Sequence, residues 1–223
     1  MASCGAMELP PLKLDDRGLL TVVAQDRLTG EIRMLAHADR AALEATAETG
    51  FAHFYSRSRE RMWKKGEESG NTLRVSAIWL DCDADAVVYQ VDPAGPTCHT
   101  GAASCFFTRA HPSAAEEGAR ALPILTELEA TLEARKASTG TKSYTKSLLD
   151  GGAPKIGSKL REEADELARA AADESDERVA SEAADVVYHL MVALVSRGVP
   201  LRDVQAELAR RFGTSGHDEK ASR

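Results

Sequence analysis

Short apolar runs separated by turn residues fill the first half of the chain. TVVAQD (21–26) and EIRMLAHA (31–38) flank RLTG (27–30), where glycine can supply the positive φ of a hairpin turn. Asp39 is placed to cap a helix over AALEATAE that ends at Gly50. The segments FAHFYSRS, RVSAIWLDC and AVVYQVD then return to strand character. The pattern predicts a β-rich domain with one helix from Gly18 to about Thr108.

The apolar spacing of the second half is that of helices. The helical segments are ILTELEATLEAR, KIGSKLREEADELARAAA, RVASEAADVVYHLMVALVSRG and LRDVQAELARRFG. Pro123 suits the start of the first helix, and Gly198 with Pro200 ends the third. SYTKSLLDGGAPK is predicted to be a long interhelical loop or a short helical turn. AHPSAAEEGARALP, which precedes these helices, has no sustained period and is typical of a linker.

Together the two patterns predict an α+β chain with a β-rich domain at residues 1–115 and an all-α helical bundle at residues 116–223. The chain has 223 residues, of which 43% are hydrophobic and 28% charged, as in soluble globular proteins. Its formal net charge of -7 excludes the basic surface of a nucleic-acid-binding protein, and phosphate ligands would need local cations or metals. We see neither a signal peptide nor a run approaching the roughly 20 apolar residues of a membrane span, so we expect no membrane partner and a cytoplasmic location.

Metal-ligand residue types are concentrated between residues 81 and 105. If DCDAD ended a strand, Asp81, Asp83 and Asp85 would share one side and Cys82 would face the other. Carboxylates suit magnesium, whereas thiolates suit zinc. The three candidate thiolates are Cys82, Cys98 and Cys105. Three protein ligands leave the fourth tetrahedral position open, which predicts a catalytic zinc site. The alternatives are an ordinary acidic turn and cysteines buried for packing; Cys4, near the terminus, is taken as incidental.

Three motifs carry a resemblance to a known family. WKKGEESGN, DCDADA and CHTGAASCF resemble the signatures of the phosphoribosyl-AMP cyclohydrolases, over about Gly18 to Thr108. The resemblance implies hydrolytic opening of the adenine ring, with zinc on the three cysteines and magnesium on the three aspartates. It also implies a homodimer, because in this family the zinc ligands come from two subunits.

Further residues near these motifs are candidates for the chemistry. His99 adjoins a predicted zinc ligand and is a candidate general base, or a residue that only orients the loop. In the glycine-containing loop, Lys65, Gly66 and Ser69 could offer a cation and backbone amides to a phosphate. Arg57, with Arg59, could also contact phosphate, although a solvated arginine is the commoner case.

Carboxylates mark two of the predicted helices. Glu162, Glu163 and Glu166 fall on one side of a helical wheel, with Leu160, Ala164, Leu167 and Ala171 on the other. Glu182 and Asp185 interrupt an otherwise apolar helix, where a buried carboxylate needs a cationic partner. If the two helices pack antiparallel, Glu163, Glu166, Glu182 and Asp185 can hold magnesium. Pairing with Arg178, His189 or Lys159 is the alternative.

A second resemblance covers about residues 122 to 223. EExxE followed by ExxD is the pattern of all-α nucleoside triphosphate pyrophosphohydrolases, and KSYTKSLLDGG, KIGSKLREEADE, EAADVVYHL and RRFGTSGHDEKASR resemble the phosphoribosyl-ATP diphosphatases. The implied reaction yields phosphoribosyl-AMP and pyrophosphate, which is the step before the cyclohydrolase. Glu162 could orient or deprotonate the attacking water, and Lys155, Lys159 and Lys142 could contact the triphosphate.

Two rival hypotheses remain from the sequence. In the first, the chain is a housekeeping nucleotide pyrophosphatase whose N-terminal half only dimerises. In the second, the N-terminal half is a nonenzymatic zinc-binding interaction module, which would require a fourth protein ligand on the zinc.

Overall fold

Six strands and six helices follow one another in the part of the chain that a computed structural model describes, which is residues 10–109, 121–138 and 143–212. The chain divides into two compact units between Pro123 and Ile124, with all the described strands in the first unit. The α+β class is therefore confirmed. The predicted boundary near residue 115, Cys4, Lys142 and the tail motif beyond Phe212 lie outside the described residues.

The first unit is a six-stranded sheet with one helix. Its elements are β1 Leu20–Asp26, β2 Ile32–Ala38, α1 Arg40–Thr49, β3 His53–Ser56, β4 Arg61–Lys64, β5 Leu73–Leu80 and β6 Ala86–Pro93. The strand order is β4-β3-β2-β1-β6-β5. The β1–β6 pairing is parallel and the other pairings are antiparallel. Val22, Leu43, Phe54 and Tyr89 are fully buried in its core.

Local chemistry explains the boundaries of these elements. Gly30 has a φ of 78°, as predicted for the turn between β1 and β2. The Asp39 side chain accepts a hydrogen bond from the amide of Ala42, and Gly50 ends α1 in the left-handed conformation. The sequence did not predict β4 as a strand, because its side chains are exposed or half-buried and do not alternate in polarity.

The second unit is a helical bundle. It consists of α2 Ile124–Ala137, α3 Tyr144–Asp150, α4 Gly152–Asp173, α5 Asp176–Arg197 and α6 Leu201–Arg211. Its core contains Leu132, Leu148, Ile156, Met191 and Val192. The segment predicted as a loop or short helical turn forms α3, which Ser143 caps by accepting a hydrogen bond from the amide of Lys146.

The buried side of α4 differs from the prediction. Ile156, Glu163 and Ala170, spaced seven residues apart, are its buried residues, whereas Ala164 and Ala171 are exposed. The helical wheel was wrong to assign Ala164 and Ala171 to the apolar side of α4, because it does not show where the neighbouring helix packs. A carboxylate is buried here because α4 packs against α5, whose own Glu182 is also buried.

Helix α5 is the one described helix that is long and apolar enough to cross a membrane, judged by length and composition alone. Glu182 and Asp185 interrupt its apolar stretch, so the helix does not contain the unbroken run of about 20 apolar residues by which the sequence was judged. Core helices of helical domains meet the same criterion, and α5 contributes Met191, Val192 and Val195 to the core of the bundle. This packing accounts for part of its apolar composition.

Candidate functional sites

Cys98 and Cys105 line a cleft of about 550 Å³ in the first unit. The loop that carries Cys98 follows β6 and is closed by a 2.9 Å hydrogen bond from the amide of Cys98 to the carbonyl of Ala102. The amide of Cys105 donates to the carbonyl of Arg33 on β2, also at 2.9 Å. Backbone hydrogen bonds therefore close the loop that carries Cys98 and hold the segment of Cys105 beside β2.

The thiols of this cleft ionise differently, and an imidazole lies beside one of them. Hydrogen bonds from Thr100 lower the pKa of Cys98. The pKa of Cys105 is raised, chiefly by burial and to a smaller extent by the nearby Cys98. The Nδ1 atom of His99 lies 3.8 Å from the Cys98 sulfur, and the ring is exposed. Sulfur and imidazole nitrogen are donors that suit zinc, so this pair of thiols fits that metal.

Residues of the WKKGEESGN motif also line the cleft. Lys65, Gly66 and Ser69, predicted to contact a phosphate, are among them, together with Asn71. Gly66 has a φ of 79°, and a Cβ there would collide with the backbone of Asn71. The Lys65 ammonium donates to the Asn71 carbonyl at 3.3 Å, and burial lowers the pKa of Lys65. The motif therefore places a half-buried cation facing the thiols.

Cys82 lies apart from the other two cysteines. It is exposed in the turn between β5 and β6 and is not among the residues that line the cleft. Among the described residues, the three sulfur atoms do not form a group within 4.8 Å of one another. One copy of the chain thus brings together two of the three predicted zinc ligands.

The three aspartates converge, but not through strand alternation. Oxygen atoms of Asp81, Asp83 and Asp85 lie within 4.8 Å of one another on the surface. The expected alternation was wrong because β5 ends at Leu80. The Asp81 carboxylate accepts hydrogen bonds from the amides of Asp85 and Ala86 at 3.0 and 3.1 Å, which folds the segment into a turn. An all-oxygen cluster of this kind fits magnesium.

A cation already contacts this acidic turn. The Lys13 ammonium lies 2.6 Å from Asp83 and 3.6 Å from Asp85. The hydrogen bond between Lys13 and Asp83 lowers the pKa of Asp83 and raises the pKa of Lys13. Both side chains are more than half exposed, so solvent screens the pair and it adds little to stability.

Arg57 lies in a cavity beside the cleft and not in the cleft itself. This cavity has a volume of about 590 Å³ and includes His37 and Tyr55. It shares Arg59 and Trp63 with the thiol cleft, so the two cavities adjoin. Thiols and arginines therefore line neighbouring parts of one surface.

In the second unit, carboxylates of two helices converge. Oxygen atoms of Glu163 and Glu166 on α4 and Glu182 on α5 lie within 4.8 Å of one another, and Glu163 and Glu182 are buried. Asp185, the fourth predicted ligand, is exposed and is not part of this group. Three partly buried carboxylates at this spacing fit a divalent cation with oxygen ligands.

Side-chain cations pair with these carboxylates, which is the alternative to metal binding that the sequence left open. The Lys159 ammonium lies 2.9 Å from both Glu162 and Glu163. Both hydrogen bonds raise the pKa of Lys159, and the one to Glu162 has the larger effect. Arg178 forms an ion pair with Glu182.

A histidine and a tyrosine stand beside the carboxylates. His189 Nδ1 lies 2.9 Å from the carbonyl of Asp185 and 3.8 Å from Glu163. Because a carbonyl only accepts, Nδ1 carries the proton, and Nε2 accepts from the Tyr144 hydroxyl at 3.0 Å. The imidazole is thereby fixed in one tautomer against the acidic group.

The remaining predicted residues have specific partners. Glu162 is exposed and paired with Lys159. The ammonium of Lys155 donates to the hydroxyl of Ser147 at 2.7 Å. Sequence reasoning missed the contact of Tyr144 with His189. The adjacent aromatic pair in the VVYHL segment, within an apolar helix, was an available signal.

Comparisons with known proteins agree with both halves. A model of the phosphoribosyl-AMP cyclohydrolase family matches residues 34–107, and one of the phosphoribosyl-ATP pyrophosphohydrolase family matches residues 125–212. A "histidine biosynthesis bifunctional protein HisIE" from Caldanaerobacter subterraneus is 40% identical over 92% of this chain and 98% of its own length. One from Thermus thermophilus is 40% identical over 92% and 94%, and a chloroplastic one from Arabidopsis thaliana is 40% identical over 96% and 80%.

Proposed function

Because the chain belongs to the HisIE family of bifunctional histidine-biosynthesis proteins, we propose that the cleft at Cys98 and Cys105 and the carboxylates between α4 and α5 are its two hydrolytic sites. The chain is a phosphoribosyl-AMP cyclohydrolase followed by a phosphoribosyl-ATP pyrophosphohydrolase. The second unit therefore produces the substrate of the first. The observation that carries the assignment of sites is that each domain brings metal-ligand side chains together: two thiols that line a cleft in the first, and three carboxylates of two helices in the second.

Glu163, Glu166, Glu182 and Asp185 are the proposed magnesium ligands of the pyrophosphohydrolase. The ion, when bound, supplies positive charge that offsets the negative charge of the triphosphate. Asp185 lies one helical turn after Glu182, and its exposed carboxylate is free to rotate toward that group. Glu162 orients the attacking water, and Lys159 exchanges its carboxylate partners for phosphate oxygens. The hydrogen bonds from Lys155 to Ser147 place a second cation at the start of α4.

Cys98 and Cys105 are proposed to bind zinc in the cyclohydrolase cleft. Zinc supplies Lewis acidity that makes a water nucleophilic at neutral pH. His99, next to Cys98, is the proposed general base and would accept a proton from the attacking water. Lys65, Gly66 and Ser69 hold the nucleotide against this wall, and Arg57 binds a phosphate in the adjoining cavity. Two adjoining cavities, one lined by thiols and one by arginines, suit a substrate with a reactive ring and separate phosphates.

The third zinc ligand, Cys82, is proposed to come from a second copy of the chain. Its position outside the cleft supports this, because three thiols that cannot meet in one copy can meet in a dimer.

An apolar row on the sheet, away from the core, supports the same dimer. Trp79 pairs with Val88, Val88 with Val23, and Val23 with Leu35 across four strands. Trp79 is 59% exposed and Leu35 is 47% exposed. Cys82 follows Trp79 closely in sequence, so an interface on this row lies near the turn that carries it.

Asp81, Asp83 and Asp85 are the proposed second metal site of the cyclohydrolase, with magnesium as its ion. Their convergence in one turn supports this assignment, and Lys13 holds the carboxylates together until the ion binds. We expect the enzyme in the cytoplasm, although a plant relative is named as chloroplastic.

Product analysis tests the two sites separately. Purified protein is supplied with phosphoribosyl-ATP, magnesium and trace zinc, and products are identified by mass. Cys98→Ser should stop the reaction at phosphoribosyl-AMP plus pyrophosphate, whereas Glu182→Gln should leave phosphoribosyl-ATP intact but still open the ring of added phosphoribosyl-AMP. Ring opening by the Cys98→Ser protein would contradict the zinc assignment, and pyrophosphate release by Glu182→Gln at the normal rate would contradict the carboxylate site.

A further inference from the structure

A buried ion pair lies behind the thiol cleft and has no role in the reactions described above. The guanidinium of Arg33 lies 2.8 Å from the carboxylate of Glu31, and their side chains are 9% and 2% exposed. Burying two charges costs free energy that their attraction repays only when further hydrogen bonds complete the pair. We therefore ask which parts of the cleft the buried pair contacts.

The arginine contacts the segment that carries Cys98. Its Nε–H donates to the hydroxyl of Thr97 at 3.3 Å, and Thr97 is 3% exposed. Cys98 is the next residue along the chain. The side chain of Arg33 therefore links the pair with Glu31 to the first thiol-bearing segment.

The same stretch of β2 holds the second thiol-bearing segment through its backbone. The carbonyl of Ile32 accepts from the hydroxyl of Ser104 at 2.7 Å, and the carbonyl of Arg33 accepts from the amide of Cys105 at 2.9 Å. Two consecutive residues of β2 thus contact both sides of the cysteine loop. The separation of the two sulfur atoms is then set by one rigid strand.

We infer that Glu31 and Arg33 are positioning residues that fix the spacing of Cys98 and Cys105 through the hydroxyl of Thr97. Groups behind a metal ligand orient it, and losing one typically weakens metal affinity by about 10- to 100-fold. The inference rests on the proposed zinc site. It also implies that Glu31 and Arg33 keep the loop of residues 97–105 ordered when no metal is bound. Neither residue touches the substrate in this assignment.

Thr97→Val is the sharpest test, because it removes only the acceptor of the Arg33 hydrogen bond and keeps the shape of the side chain. Thr97→Ser restores the hydroxyl and serves as the conservative variant. Thr46→Val is the matched control: Thr46 is equally buried in the same unit and accepts a hydrogen bond from the amide of His53 at 2.9 Å, away from the cleft. The pyrophosphohydrolase rate of each variant checks that the rest of the chain is intact.

Zinc affinity is measured by competition with a chromophoric chelator, and amide hydrogen exchange of residues 97–105 is measured on metal-free protein. Thr97→Val should weaken zinc binding by about 10- to 100-fold and speed exchange at Cys98 and Gly101, while Thr97→Ser and Thr46→Val stay within about twofold of the parent. Equal zinc affinity and exchange in Thr97→Val and the parent would overturn the inference, as would an equal loss in Thr46→Val. If the parent itself binds no zinc, the proposed function fails, and the exchange data alone decide the positioning role.

Discussion

The ammonium of Lys159 lies 2.9 Å from a carboxylate oxygen of Glu163, one helical turn further along α4. Glu163 is buried and belongs to the converging carboxylates, so this lysine neutralises charge at the place where a divalent ion would bind. A metal and this ammonium compete for the same oxygen atoms. If the proposed magnesium site is correct, the ammonium holds the acidic group together without metal and would be displaced when the ion binds.

Replacing Lys159 with glutamine should separate these two roles. Mg²⁺ affinity, measured by calorimetry, should rise by about three- to tenfold because a competing cation is gone, while the KM for phosphoribosyl-ATP rises by a similar factor. Lys146→Gln is the control, since Lys146 pairs with Asp150 at 3.9 Å, away from the carboxylates. Weaker Mg²⁺ binding by the Lys159→Gln protein would contradict the competition.

The two acidic residues of α5 should not contribute equally. Glu182→Gln removes a buried member of the converging group and should weaken Mg²⁺ binding by about a hundredfold, because divalent-ion affinity depends on the charge of the ligands. Asp185→Asn changes an exposed side chain and should cost less, about tenfold. Titration of Mg²⁺ against the rate of pyrophosphate release measures both. A larger loss in Asp185→Asn would mean that the ion sits nearer the exposed end of the group.

Mixing two inactive proteins tests whether Cys82 acts in a second copy. Cys82→Ser and Cys98→Ser chains should each lack cyclohydrolase activity, but a mixed dimer has one complete set of thiols. After co-refolding of equal amounts, about a quarter of the parent rate should return by random pairing of a two-fold dimer. Pyrophosphate release should be normal throughout. No recovery in dimers shown to be mixed would place all three cysteines in one copy.

Alkaline pH should destabilise the first unit through Tyr89. This side chain is fully buried, its hydroxyl donates to Thr46 at 3.3 Å, and burial raises its pKa well above the ordinary value of 10.0. The folded state therefore holds its proton when the unfolded chain has lost it, so stability is intact below pH 10 and declines as pH rises further.

Tyr89→Phe should lose about 1 kcal/mol at pH 7 through the missing hydrogen bond and decline less steeply above pH 10. Urea unfolding followed by tryptophan fluorescence measures this, because both tryptophans, Trp63 and Trp79, belong to the first unit. Tyr55→Phe, at a half-buried position of β3, controls for loss of a phenol. Parallel declines of the parent and Tyr89→Phe would rule out Tyr89 as the cause.

Sequence patterns predicted the elements whose local signals are strong. Asp39 and Gly50 delimit α1 as expected, and Gly198 ends α5 in the left-handed conformation. The strand β4 was not predicted because its residues are too exposed to alternate, and α3 was left ambiguous because seven residues span barely two turns.

The arrangement of the sites needed tertiary information. The sequence predicted that Glu163 meets Glu182 only on the condition that the two helices pack antiparallel, because a helical wheel of α4 does not contain the facing helix. Alternation at Asp81 and Asp83 failed because the Asp81 side chain folds the backbone into a turn. Arg33 was overlooked because its partner Thr97 is 64 residues away in the chain.

The separation of Cys82 from the other two thiols has a consequence at low protein abundance. The carboxylates between α4 and α5 belong to one polypeptide, whereas the proposed zinc centre needs two. If the zinc centre needs two copies and the carboxylate site needs one, ring opening should fall roughly with the square of protein concentration when dimers dissociate on dilution, while pyrophosphate release should fall only in proportion to it. A scarce enzyme would then accumulate the intermediate that an abundant one consumes.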